Sequence, residues 1–102
     1  MNPRELARRL LTQHPPVVVD VRSGFEFRSG HIPGAVHAPT WKMLLRLAPL
    51  PAARDTELVL TCEHGPRARL AKGLLETFGY SRVALLDGHM ATWRRERLTL
   101  EK

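Results

Sequence analysis

The sequence predicts an α/β sandwich around a mostly parallel sheet, and three observations carry that prediction. Short apolar runs at residues 17–21, 58–60 and 83–86 have the length and β-branched character of buried strands. Helix-start chemistry alternates with them, at Asn2-Pro3, at Ser23 with Glu26, at Thr40 and at Gly65-Pro66. The chain has 102 residues, 43% apolar and 25% charged, enough for a single domain over 1–102 and too few for a second.

The elements follow in order. Asn2 reads as an N-cap, Pro3 as the first helical residue and Glu5 as the partner in a capping box, with Leu6, Ala7, Leu10 and Leu11 as the buried stripe. Pro15-Pro16 ends that helix. Residues 17–21 form a nearly unbroken apolar strand, which suits a parallel sheet covered on both faces. Ser23 to Glu26 repeats the capping-box spacing and predicts a short helix over 25–28, ended by Gly30. Residues 35–38 make another strand, and Thr40 caps a helix over 41–47 before Pro49 and Pro51 break it. A strand at 58–61 leads into a helix from 66 to about 78, capped by Gly79. After a strand at 83–86, a last helix buries Met90 and Trp93. In such folds the ligand site lies at the carboxyl ends of the strands. That rule gathers Arg22, Cys62 and Asp87-Gly88-His89 at one mouth.

Cys62 is the only cysteine, and it stands where an apolar strand meets a glycine turn and a helix start. Amides of a tight loop, the positive end of the helix and the Arg67 guanidinium all favour an anion at that point, the setting of reactive cysteines. An ordinary core cysteine needs neither Gly65 nor Arg67 beside it. No Cys-x-x-Cys or His-x-x-x-His pair exists, so no metal site is expected.

The pattern Cys62-x-x-Gly65-x-Arg67 after an apolar strand resembles the active-site loop of the rhodanese-like sulfurtransferases. Asp20-Val21-Arg22, then Glu26-Phe27 and Gly30-His31-Ile32-Pro33-Gly34-Ala35, is similar to that family's N-terminal signature in its usual order. Leu86-Asp87-Gly88 with Trp93 resembles its C-terminal one. The likeness runs from about residue 3 to about residue 97. It implies a rhodanese-like three-layer sandwich, a mostly parallel sheet of four to five strands with helices on both faces. The family's first short strand precedes the opening helix, and only Met1 and Asn2 remain for it here.

The resemblance also implies a reaction. Cys62 would take a sulfane sulfur from thiosulfate or a persulfide donor, hold it as a cysteine persulfide, and pass it to cyanide, a thiol or a partner protein, with no cofactor. The loop residues Glu63, His64, Gly65, Pro66, Arg67 and Ala68 would bind the substrate, through backbone N–H groups except at Pro66, which has none. Arg67 would orient the anionic donor. Glu63, an acid in a site for anions, either selects against highly charged donors or faces solvent, and His64 lines the mouth. Asp20, Arg22 and Glu26 read as structural: Arg22 and Glu26 are spaced to pair, and Asp20 can accept backbone hydrogen bonds. Two positions depart from the family pattern. Ala68 stands where a small hydroxyl residue is frequent, and His89 follows Gly88 where a second glycine is common. A positive φ at His89 would cost what glycine avoids, and its ring would narrow the site.

Two other classes compete. Phosphatases and arsenate reductases of related fold use a cysteine and an arginine on a similar loop, but with five intervening residues where Cys62 and Arg67 have four. Non-catalytic binding modules of the fold commonly lack the cysteine. The net charge of +6, from thirteen arginines and three lysines against ten acids, favours a small anionic partner. The arginines are dispersed apart from Arg94-Arg95-Glu96-Arg97, which argues for a solvated basic face over a nucleic-acid surface. No apolar run is long enough for a membrane span, and no secretory leader is visible, so a cytoplasmic location is expected.

Overall fold

The computed structural model describes residues 1–102. Helix α1 (Pro3–Arg9) starts as expected, the Asn2 side chain accepting from the N–H groups of Arg4 (2.8 Å) and Glu5 (3.4 Å). Glu5 makes no return bond, so the capping box is half formed. Leu6 is buried and Ala7 and Leu10 are half-buried, but Leu11 is 89% exposed. The helix ends at Arg9, and beyond it the 3.6-residue stripe no longer applies.

Strands β1 (Val17–Asp20), β2 (Val36–His37), β3 (Leu58–Thr61) and β4 (Val83–Leu85) form one parallel sheet in the order β2-β1-β3-β4. Between and after them run α2 (Gly24–Ser29), α3 (Thr40–Leu44), α4 (Pro66–Thr77) and α5 (His89–Arg95). No fifth strand forms. Instead Met1 alone lies beside β4, its ammonium donating to the Leu85 carbonyl (2.7 Å) and its carbonyl accepting from Asp87 N–H (2.9 Å).

Alternation along the strands sorts side chains into two apolar layers. Val19, Leu58 and Leu60 face α3 and α4, packing with Met43, Ala68, Ala71 and Leu75. Val18 and Val59 face α1 and α5, packing with Leu6, Met90 and Trp93. Trp93 is therefore a core residue, 1% exposed, and its indole N–H donates to the Thr99 carbonyl (2.9 Å). The C-terminal segment folds back so that His31 and Glu101 exchange two backbone hydrogen bonds of 2.9 Å each.

Helix α2 carries the full predicted capping box: Ser23 Oγ accepts from Glu26 N–H, and Glu26 accepts from Ser23 N–H (3.0 Å). At α3 the expectation needs correcting. Thr40 is the first helical residue, and Pro39 sits at the cap position without a side-chain bond. The helix stops at Leu44, because Arg46 turns left-handed (φ 57°) just past its end. No helix is long and apolar enough to cross a membrane.

Candidate functional site

Cys62 follows directly on β3. The register of Asp20 with Thr61 and of Leu60 with Leu85 sets the carboxyl ends of β1, β3 and β4 level. Arg22, the cysteine loop and the start of α5 therefore meet at one end of the sheet. Cys62 is fully buried and belongs to the apolar layer under α4. Its Sγ accepts from the N–H of Gly65 (2.9 Å).

Gly65 is the N-cap of α4 with φ 129°, a conformation side chains disfavour, and Pro66 takes the first helical position. The amides of Glu63, His64, Arg67 and Ala68 donate to no group of the protein. Two belong to the first turn of α4, where helical geometry leaves N–H groups unpaired, and two to the loop before it. The loop is thus a concentration of free donors with one already on sulfur. Ala68 is fully buried beside Cys62, so its side chain packs in the core where a hydroxyl residue would have offered a bond.

The start of α5 clamps the loop from the other side. Met90 N–H donates to the Cys62 carbonyl (3.0 Å) and Ala91 N–H to the Glu63 carbonyl (3.3 Å). In return, Cys62 N–H donates to Nδ1 of His89 (3.3 Å). Gly88 (φ 72°) and His89 (φ 54°) are both left-handed. That turn swings the imidazole, 6% exposed, against the loop. Burial first, then the Arg69 guanidinium, hold the His89 pKa below the ordinary histidine value; His64 and the N-terminal ammonium act the same way and Asp87 opposes them.

The charged residues pair differently from the sequence expectation. Arg22 does not pair with Glu26. It is 2% exposed and binds Asp20 through Nε (3.0 and 3.1 Å) and Nη2 (2.8 Å), with Nη2 also on the Gly30 carbonyl (2.8 Å). Two residues apart on an extended chain, Asp20 and Arg22 share one face, and Asp20 also accepts Arg22 N–H (3.0 Å) as expected. Glu26 is turned by its capping box toward α4 and takes both Nη atoms of Arg67 (2.6 and 3.0 Å). The Arg67 hydrogen bonds lower the Glu26 pKa to about 2, and Glu26 in turn raises that of Arg67.

Glu63 neither faces solvent freely nor stands open to a ligand. It bridges Arg22 Nη1 (3.5 Å) and Arg94, tying the loop to β1 and α5. His64 is exposed on the rim. Two contributors escaped the sequence reading. In sequence Arg94 is one of a basic cluster, and Arg69 carries no signal beyond its place on the first turn of the helix that carries Arg67. The surface grooves of the molecule lie elsewhere; a large one, about 750 Å³, runs between Leu10, Val36 and Leu98.

Known proteins share this chain's sequence and architecture. A sulfurtransferase of Allochromatium vinosum is 32% identical over 95 residues, covering 93% of this chain and 87% of that protein. The thiosulfate sulfurtransferase GlpE of Pseudomonas savastanoi pv. phaseolicola is 37% identical over 92 residues, covering 90% and 84%. Among solved structures, the thiosulfate sulfurtransferase from Pseudomonas aeruginosa superposes with a TM-score of 0.89 at 27% identity, over 100% of this chain and 19% of that one. A rhodanese-like domain protein from Staphylococcus aureus gives 0.83 at 26% identity, covering 100% and 97%. The model of the rhodanese-like domain matches residues 2–96, from the cap of α1 to the end of α5, and the chain belongs to that family.

Proposed function

We propose that this protein is a sulfurtransferase that carries sulfane sulfur on Cys62. The observation that supports this reading most directly is the hydrogen bond from Gly65 N–H to Cys62 Sγ among four uncommitted loop amides. A sulfur one bond beyond Sγ would meet those amides, which the closed loop presents together around it. The Cys62 thiolate attacks the outer sulfur of thiosulfate or of a persulfide. A new S–S bond forms, the old one breaks, and its electron pair leaves with sulfite or with the donor thiolate. A nucleophile such as cyanide, a thiol or a protein thiol then takes the outer sulfur and returns the Cys62 thiolate. No redox partner or cofactor enters this cycle. Since Cys62 is fully buried, the donor reaches it when the loop opens.

Four residues between Cys62 and Arg67 make a loop sized for one terminal sulfur and tight for a transferring phosphoryl group, which weighs against the phosphatase alternative. Intact-mass analysis after brief exposure to thiosulfate, then to cyanide, tests the reading. One sulfur atom should appear on Cys62 and then leave, and the Cys62→Ser variant should stay folded and acquire none. Hydrolysis of a phosphate ester without any persulfide would reverse the assignment, and neither activity would leave a binding module.

A further inference from the structure

With both Nη atoms of Arg67 held by Glu26, the cation of the cysteine loop without an acidic partner is Arg69. It is exposed, and none of its side-chain nitrogens meets a protein acceptor. Its position is defined by Gly65. A Cβ built on that glycine would lie 2.9 Å from Arg69 Nη1 and 3.3 Å from His89 Nε2, so the two nitrogens converge over the bare face of the residue whose amide contacts Sγ. His89 Nδ1 accepts the Cys62 N–H, which places the proton of the neutral ring on Nε2. Nε2–H and the guanidinium are therefore two donors, one neutral and one cationic, beside the same loop residue.

We propose that Arg69 and His89 form an oxyanion subsite over Gly65 that holds the charged oxygens of an anionic sulfur donor. This rests on the sulfurtransferase reading for the donor's identity, though the subsite itself recognises any small oxyanion brought to Cys62. The oxygens of thiosulfate are bound by Arg69 Nη and His89 Nε2–H while its outer sulfur meets the Cys62 thiolate. When the S–S bond breaks, the electron pair and the added charge leave on sulfite, still facing the two donors. Arg67, with both Nη atoms on Glu26, is committed to that pair. The arrangement needs glycine at position 65, since a Cβ there would crowd Arg69 Nη1 and His89 Nε2 and push them off the loop.

Alkylation of Cys62 by iodoacetate and by neutral iodoacetamide separates this from general loop effects, because both reagents need the same opening and only one carries a carboxylate. In Arg69→Ala the iodoacetate-to-iodoacetamide rate ratio should fall roughly tenfold, the scale of one charge-assisted hydrogen bond, and Arg69→Lys should recover part of it. His89→Asn, which keeps an acceptor for Cys62 N–H but loses the Nε2 donor, should lower the ratio about threefold. Arg8→Ala, the same loss of charge on exposed α1, should leave it unchanged. The KM for thiosulfate should rise and kcat/KM fall in Arg69→Ala. An unchanged ratio in Arg69→Ala, or an equal fall in Arg8→Ala, overturns the subsite. If the ratio falls as stated while thiosulfate adds no sulfur to the unaltered protein, the subsite stands and the sulfurtransferase reading fails.

Discussion

His89 holds a left-handed backbone that costs an L-residue about 1–2 kcal/mol, and the return on that conformation is an acceptor for the Cys62 amide. The acceptor exists only while the ring is neutral. Its folded pKa lies below the unfolded value, which is about 6.5, so the unfolded chain binds a proton more readily. The resulting stability is fully present above pH ~6.5 and is lost as the pH falls through the lower folded value. The urea midpoint of the protein should therefore drop faster below pH ~6.5 than that of His89→Asn, which accommodates the same φ and does not titrate. Parallel pH profiles for the two would show that His89 is not the titrating group.

Glu26 and Arg67 act in a lower pH range and with the same sign. Their pair is part exposed, at 30% and 40% of the side chains, so Arg67→Ala should cost no more than ~1 kcal/mol near pH 7. A carboxylate with a depressed pKa contributes stability above its unfolded value and loses it as the pH falls toward the folded one, here about 2. The difference between the protein and Arg67→Ala in a denaturant titration should thus close between about pH 4.5 and pH 2.

At the scale of elements, the caps decide where the site residues stand. Ser23→Ala removes the cap of α2 and one of the bonds that aim Glu26 at Arg67, and should cost about 1 kcal/mol by chemical denaturation. Gly88→Ala should cost more, roughly 2 kcal/mol or above, because a Cβ there would lie 1.9 Å from Thr92 Oγ1 on a left-handed backbone. A Gly88→Ala protein as stable as the parent would mean that the start of α5 can move off the loop. The sequence made α2 and α4 readable, since Ser23 with Glu26 and Gly65-Pro66 act through bonds and φ values local to the chain. It did not make the ion pairs readable. Whether Glu26 meets Arg22 or Arg67 depends on the fold bringing α2 within side-chain reach of the start of α4, 41 positions away in sequence from Glu26 to Arg67, and no local spacing encodes that. The same holds for His89: a departure from glycine was visible, but its partner lies 27 positions away.

At the scale of the whole molecule, the sheet is the only structure common to both apolar layers, and its central strands β1 and β3 contribute to each. Leu60, fully buried on the layer that includes Cys62, should cost about 2–5 kcal/mol when changed to Ala. For a chain of this size that is a large part of the total, so a lowered thermal midpoint is the expected result. Alternating strands and helices were readable from the sequence because each buried strand is a short apolar run between turn signals. The sequence pattern shows four strands, and the family resemblance implies four to five. Met1 meets β4 through two hydrogen bonds made by one residue, below what pattern can register.

On the proposed sulfur-carrying reading, the complete burial of Cys62 also fixes the regiochemistry of the second half-reaction. A persulfide has two electrophilic sulfurs. Attack at the outer one transfers sulfur and regenerates the enzyme, whereas attack at Sγ gives a mixed disulfide and expels hydrosulfide. An added sulfur would stand about 2 Å from Sγ, the length of an S–S bond, on the side of the loop amides. An incoming thiolate must approach in line with the bond it breaks, and Sγ itself is enclosed by the β3 and α4 residues that pack around Cys62. Only the outer atom is open to it. Turnover with thiol acceptors should then yield acceptor persulfide and free Cys62, with the protein–acceptor disulfide below detection by mass spectrometry.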